Sequence, residues 1–204
     1  MTKNELEKDL ISSGYLNSPL LIEAFKKIDR KDFLPRSDAK HLLRGVPQDL
    51  QGEAYGNYPL HIGFGQTISQ PLTVAFMLEL LDPRPGEKIL DVGAGSGWQT
   101  TLLAYCISAK GKETGTVVAV ERIKELKEMA EENIRKYNFL EKGVVKIVLG
   151  DGSKGAPLAL RPPEGFDKII AAAAAESIPS AWKEQLKVGG RLVSPVFQSI
   201  WVLD

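Results

Sequence analysis

Three glycines at a spacing of two residues follow a short apolar run that contains an acid. In "ILDVGAGSGWQT", Gly93, Gly95 and Gly97 come shortly after Asp91. Glycine allows positive φ, and a turn from a strand into a helix exposes the free N–H groups of the helix N-terminus to a ligand. Trp98 stands where the dinucleotide-binding pattern has its third glycine. The segment therefore indicates a ligand site at a strand end, with a pattern other than the dinucleotide one.

Two further acids end the next two apolar runs along the chain. Glu121 ends "TVVAVE", and Asp151 follows "VKIVLG". Parallel strands bring their carboxyl ends to one edge of a sheet, so both acids are expected beside the glycine turn. The Glu121 carboxylate could accept hydrogen bonds from two ribose hydroxyls, and Asp151 could accept one from the exocyclic amine of a purine. Together these residues predict a nucleoside site.

This arrangement resembles the S-adenosylmethionine-dependent methyltransferases of class I. The resemblance implies S-adenosylmethionine as cofactor, with Asp91 near its methionine ammonium group. Each part also has a simpler explanation. The glycines could serve only helix packing, Glu121 could be a solvated strand end, and Asp151 could only form a turn.

The methyl acceptor is limited by the absence of an evident general base. His41 and His61 are the only histidines, and neither has a carboxylate partner nearby in the sequence. A carbon or phenol acceptor would usually need such a base. A carboxylate acceptor needs none, because with a pKa of about 3.9 it is already ionised at pH 7, so that catalysis reduces to orientation and proximity. No metal ligands are proposed.

The segment "GQTISQP", residues 65–71, carries hydroxyls and amides and no charge. With "ILDVGAGSGWQTTLLA", "VVAVERIKEL", "GDG" and "AAAESIPSAWKEQLKVGGRLVSPV", it is similar to the protein-L-isoaspartate (D-aspartate) O-methyltransferase family over about 33–196. The resemblance implies that Ser69 orients the substrate carboxylate, that Thr67 and Ile68 lie near both ligands, and that Gly152 joins the cofactor site. It further implies methylation of the α-carboxylate of L-isoaspartyl and D-aspartyl residues in damaged proteins and peptides. Alternatively, Ser69 only caps the helix that follows.

The sequence departs from this family at its C-terminal end. In the usual order of the fold, a last strand lies between those predicted at 191–196 and 199–204, and it is expected to be missing here. The strand at 199–204 should then either pair directly with 191–196 or stay unpaired. Either outcome leaves an apolar sheet edge, which predicts some self-association of an otherwise monomeric protein.

The elements that must position these residues follow from periodicity. Strands are predicted at 88–93, 116–121, 145–151, 168–173, 191–196 and 199–204, and helices at 2–11, 18–28, 70–81, 97–108, 122–138 and 179–186. Alternation of strand and helix predicts an α/β fold of the Rossmann-like, doubly wound type with a mostly parallel sheet. We expect a single domain over 1–204, with N-terminal helices and a long substrate loop in 1–80 and the core in 81–204.

Composition narrows the class of protein further. Lys and Arg total 26, as do Asp and Glu, so no basic surface predicts a nucleic-acid partner. The single Cys106 lies in an apolar run and is expected in the core. No membrane segment or signal peptide is evident, which favours the cytoplasm. Two other functions stay open: a methyltransferase with another carboxylate or small-molecule acceptor, and a non-catalytic cofactor-binding module.

Overall fold

The chain begins with the two predicted helices, in a computed structural model that describes residues 1–35, 50–108, 115–173 and 175–204. They are α1 (Lys3–Ser12) and α2 (Pro19–Lys27), followed by a short 3₁₀ helix, Arg30–Phe33. The Thr2 hydroxyl accepts from the Glu5 amide at 3.3 Å while the Glu5 carboxylate accepts from the Thr2 amide at 2.7 Å. This reciprocal cap explains where α1 begins.

A small β-hairpin lies within the segment predicted as a long loop. Its strands are β1 (Leu60–Gly63) and β2 (Gln66–Ile68), and they pair antiparallel. Phe64 and Gly65 join them with positive φ values of 53° and 69°, the conformation that a two-residue hairpin turn requires. The prediction of an irregular loop was wrong here because the strands are too short for a visible alternation. Residues 36–49 of the predicted loop, with His41, lie outside the described residues.

The remaining elements build one six-stranded sheet with its helices. In chain order they are α3 (Pro71–Leu81), β3 (Lys88–Val92), α4 (Trp98–Ile107), β4 (Thr116–Glu121), α5 (Lys124–Arg135), β5 (Val145–Leu149), β6 (Phe166–Ala171), α6 (Ser180–Gln185), β7 (Leu186–Val196) and β8 (Ser199–Leu203). The strand order is β5-β4-β3-β6-β7-β8, parallel except for β8. The predicted mostly parallel α/β fold is confirmed.

Successive residues of the central strands enter different apolar layers. Ile89 and Val117 pack with α1 to α5, whereas Leu90 and Val118 pack with Trp182 of α6 on the opposite face. This alternation follows from the period of two along a strand. Both faces are therefore covered, and the strand order reverses between β3 and β6. Such a switch point places a ligand crevice at the carboxyl ends of these strands.

The C-terminal strand pairs directly with its predecessor. Val196 pairs with Ser199, so only residues 197–198 separate β7 from β8 and no other strand lies between them. This is the first of the two expected outcomes. Trp201 and Val202 of this edge strand stay 53% and 43% exposed. Among the helices in the described ranges, none is long and apolar enough to cross a membrane.

Candidate functional site

The three glycines form the turn between β3 and α4. Gly93, Gly95 and Gly97 have φ values of 88°, 54° and 91°, which residues with a Cβ rarely adopt. The Gly93 amide donates to the Val120 carbonyl at 2.8 Å, which fastens the turn to β4. Gly97 precedes α4 and provides no side-chain cap. The first N–H groups of that helix are thus available to a ligand.

Packing explains part of the need for glycine in this turn. A Cβ on Gly97 would lie 3.0 Å from Cγ1 of Ile134, whereas one on Gly95 would meet only Ile62, at 3.5 Å. Gly97 therefore allows α5 to approach α4 closely. Gly95 leaves open space instead. The packing alternative holds for Gly97, and the open side of the turn lies at Gly95.

Glu121 is held in a fixed orientation at the end of β4. Its Oε2 accepts from the Gly95 amide and its Oε1 from the Ile123 amide, both at 2.9 Å. The residue is only 6% exposed, so it is not a solvated strand end. Each carboxylate oxygen keeps a second acceptor position. The carboxylate can therefore brace the glycine turn and accept from ribose hydroxyls at once.

Asp91 lies deeper than the predicted ammonium contact suggests. Its side chain is fully buried, and its two oxygens accept from Gln99 Nε2 at 2.9 Å and Thr100 Oγ1 at 2.6 Å. Burial raises the pKa of this carboxyl to about 6, with a further upward contribution from Glu121, while the two hydrogen bonds lower it. Ionised Asp91 is therefore costly unless a positive charge comes near.

Asp151 and Gly152 follow β5 at the same edge of the sheet. The exposed Asp151 carboxylate accepts from the Ser153 amide at 3.0 Å and the Ser153 hydroxyl at 2.7 Å, and these bonds lower its pKa. A Cβ on Gly152 would lie 2.5 Å from Cγ1 of Val92. The Gly152 carbonyl accepts from Trp182 Nε1 at 2.7 Å. Asp151 thus caps a short turn, and Gly152 permits close packing.

The glycine turn and the segment 67–69 meet in one cleft. The residues that line it are Thr67, Ile68, Ser69, Val74, Gly93, Ala94, Gly95, Ser96, Trp98, Gln99 and Ala172. Five predicted site residues are therefore brought together: Thr67, Ile68, Ser69, Gly93 and Gly95. The other predicted residues stand behind or beside the cleft, and Asp91 reaches its wall only through Gln99.

Ser69 does not cap the helix that follows it. Helix α3 begins at Pro71, so that Gln70 occupies the N-cap position. The amide of Leu72 donates instead to Oδ1 of Asn57, at 3.0 Å. Within the described residues the Ser69 hydroxyl makes no hydrogen bond. The capping alternative is therefore wrong, and Ser69 lines the cleft instead.

Several residues of the site were not predicted from the sequence. Asn133 of α5 donates to the Ser96 carbonyl at 3.0 Å and supports the turn from behind. Arg30 donates to the Ser69 carbonyl at 3.1 Å. Gln99 could have been found from its place in the first turn of α4, but a buried arginine in an irregular segment leaves no periodic signal.

His61 is exposed on β1, and Cys106 is buried, as predicted.

In the described parts of the chain, no group of three or more His, Cys, Asp or Glu side chains could hold a metal ion. The fit of the cleft to the predicted nucleoside cofactor rests on other features. The ionised form of buried Asp91 is favoured by a nearby cation, and the oriented carboxylate of Glu121 keeps free acceptor positions. The open glycine turn offers backbone N–H groups.

The chain is similar to known proteins of one family along almost its whole length. The family model described as protein-L-isoaspartate(D-aspartate) O-methyltransferase matches residues 1–202. A Methanopyrus kandleri protein-L-isoaspartate O-methyltransferase is 41% identical and covers 99% of this chain, which spans 81% of that protein. The Aeropyrum pernix enzyme of that name is 46% identical over 93% of this chain and 64% of its own.

A solved structure gives the same fold. A Plasmodium falciparum protein assigned to these methyltransferases, crystallised with S-adenosyl-L-homocysteine, aligns with a TM-score of 0.77 at 24% identity. The alignment covers 96% of this chain and 84% of that one. The family resemblance seen in the sequence is confirmed: the chain belongs to the protein-L-isoaspartate(D-aspartate) O-methyltransferase family.

Proposed function

We propose that this protein transfers a methyl group from S-adenosylmethionine to the α-carboxylate of L-isoaspartyl, and D-aspartyl, residues in damaged proteins and peptides. The observation that carries the proposal is the meeting of segment 67–69 with the glycine turn in one cleft. One wall is suited to a nucleoside cofactor. The other includes Ser69, whose hydroxyl makes no hydrogen bond to the described residues. The family match supports the same activity.

The cofactor would be held by groups on three successive strands. The open turn at Gly93 and Gly95 would receive its amino-acid portion, Glu121 would accept from its ribose hydroxyls, and Asp151 would accept from its adenine amine. Asp91, which accepts from Gln99 of the cleft wall, would be favoured in its ionised form by the positive charge of the cofactor's ammonium group. When bound, S-adenosylmethionine supplies a methyl group activated by its positively charged sulfur.

Ser69 would act by orientation and not by moving a proton. The acceptor carboxylate is ionised at neutral pH, so its oxygen can form the new C–O bond as the C–S bond of the cofactor breaks. No proton has to be removed. The Ser69 hydroxyl would donate to the other carboxylate oxygen, and Thr67 and Ile68 would bound the acceptor side. The rate then depends on how well the two reactants are held together. The ester formed can later be lost as a succinimide without the enzyme.

A matched pair of peptides tests this function. Initial rates of methyl transfer from radiolabelled S-adenosylmethionine would be measured with an isoaspartyl peptide and with its normal aspartyl twin. We expect incorporation into the isoaspartyl peptide only. Equal rates with the twin, or transfer only to a small carboxylic acid, would favour another acceptor. Cofactor binding with no transfer to any of them would leave a non-catalytic module.

We also infer that residues 1–204 act as one domain. In support of this, one apolar cluster joins Leu10 of α1 and Leu21 of α2 to Ile89 of β3. Isoaspartyl-containing proteins and peptides are the proposed partners. A monomeric state, weak association through β8, and a cytoplasmic location stay predictions.

A further inference from the structure

Arg30 is a buried cation at the start of the 3₁₀ helix Arg30–Phe33. Its side chain is only 2% exposed. A buried charge is costly unless it is paired or fully hydrogen-bonded. Among the described residues no carboxylate forms an ion pair with this guanidinium. Desolvation lowers its pKa to about 10, so that it remains charged at neutral pH.

Backbone carbonyls take the place of a carboxylate around the two terminal nitrogens, whereas the buried Nε has no hydrogen-bond partner among the described residues. Nη1 donates to the carbonyls of Ala54 at 2.8 Å and Gly56 at 3.2 Å, and Nη2 donates to those of Tyr58 at 3.0 Å and Ser69 at 3.1 Å. All four belong to the segment between a second 3₁₀ helix, Gln51–Glu53, and α3. One side chain thus holds the backbone on both sides of the β1–β2 hairpin.

The same guanidinium also contacts the cofactor side of the cleft. Its central carbon lies 5.4 Å from the ring centroid of Trp98, over the ring face, which favours a cation. Trp98 is the first residue of α4 and lines the cleft. Phe25 packs edge-on against the same indole, with ring centroids 5.7 Å apart. Arg30 therefore joins the end of the glycine turn to the backbone of Ser69.

Only an arginine can make this set of contacts. Its planar fork offers donors in fixed directions and stacks on aromatic rings, whereas a lysine ammonium is a flexible point charge. A hydrophobic residue of similar length would fill the space but would leave the four carbonyls without this donor.

We propose that Arg30 is a positioning residue for methyl transfer, which sets the Ser69 backbone at a fixed place opposite the glycine turn. This inference rests on the proposed function. Arg30 is not among the residues that line the cleft. It acts through Ser69 on the acceptor and through Trp98 on the wall of the cleft. Its loss should therefore lower turnover more than it lowers cofactor affinity.

The test compares Arg30→Lys and Arg30→Met with the wild type, at a temperature where circular dichroism shows each protein fully folded. We expect kcat for isoaspartyl peptide to fall about tenfold to a hundredfold, since small displacements of a positioning group have large effects. Affinity for S-adenosyl-L-homocysteine should change only a few-fold. Phe166→Leu is the control, because Phe166 is buried at the amino end of β6, opposite the cleft.

Hydrogen exchange gives a second measurement that does not depend on activity. Amides in residues 56–72 should exchange faster in both Arg30 variants and not in Phe166→Leu. Fully folded Arg30 variants with wild-type kcat, or with unchanged exchange in 56–72, would overturn this inference alone. A wild type inactive on isoaspartyl peptide would overturn the proposed function, and this inference with it.

Discussion

The two walls of the cleft are built in different ways. On the cofactor side, the glycine turn is fastened to β4 by backbone bonds, such as that from the Gly93 amide to the Val120 carbonyl. On the acceptor side, the side chains of Arg30 and Asn57 hold the segment that contains the β1–β2 hairpin and its junction with α3. A regular sheet thus positions one wall, and a few polar side chains position the other. Substitutions should separate the two walls by what they impair.

Removal of the Glu121 carboxylate should give the largest effect on the cofactor side. Glu121→Ala loses the charge-assisted bonds to ribose, each worth roughly 1.5 to 3 kcal/mol. It also releases the Gly95 and Ile123 amides. We expect affinity for S-adenosylmethionine to fall about tenfold to a hundredfold or more in calorimetric titration. Glu125→Ala, at an exposed position of α5, is the matched control, and unchanged affinity of Glu121→Ala would exclude the ribose assignment.

Two glycines of the turn should separate packing from ligand access. Gly97→Ala places a Cβ against Ile134 at a φ of 91°, so it should lower the free energy of unfolding by about 2 to 4 kcal/mol. Gly95→Ala meets only Ile62 at a φ of 54° and should cost about 1 to 2 kcal/mol. The main effect of Gly95→Ala should be on ligand access, because the new Cβ would obstruct the open turn and weaken cofactor binding. Chemical denaturation would measure the stability of both variants, and calorimetric titration would measure their affinity for S-adenosylmethionine. A larger loss of stability in Gly95→Ala, or a larger loss of affinity in Gly97→Ala, would contradict these roles.

Asp91 should make stability depend on pH. Its pKa in the folded protein is raised to about 6 from 3.8. The neutral acid is therefore favoured by folding. This contribution is fully present below about pH 4 and is lost as pH rises through 6. The wild type should lose this part of its free energy of unfolding between pH 4 and pH 7, whereas Asp91→Asn should not. Over this range the difference in free energy of unfolding should therefore shift by about 1 to 3 kcal/mol in favour of the variant. Denaturation of the apo proteins across this range checks it, and a constant difference would contradict it.

The edge strand β8 should give the smallest effect. Trp201 is half exposed there, and an apolar edge favours pairing with another chain. Trp201→Lys should reduce any self-association seen by light scattering across a concentration series, while leaving cofactor affinity unchanged. If the wild type stays monomeric at high concentration, the edge does not promote association.

The sequence predicted the positions of Glu121 and of the glycine turn better than the form of the segment around Ser69, for a physical reason. Glu121 ends a strand that its β-branched residues reveal, and the glycines mark their own turn, so local pattern was sufficient. The depth of Asp91 was not predicted, because it depends on Gln99 and Thr100 closing over the carboxyl. The hairpin strands were too short to show an alternation. Arg30 acts on residues 24 to 39 positions away, which no local pattern records.

The central claim is that the two walls bind different ligands, with Ser69 serving the acceptor alone. The most direct test measures two quantities on Ser69→Ala: the affinity for S-adenosylmethionine and the rate of methyl transfer to an isoaspartyl peptide. We predict affinity within a few-fold of wild type and a transfer rate lowered about tenfold or more, because the acceptor carboxylate loses its orienting donor. A variant that transfers methyl groups as fast as the wild type, or that loses cofactor affinity in parallel with its rate, would contradict the claim.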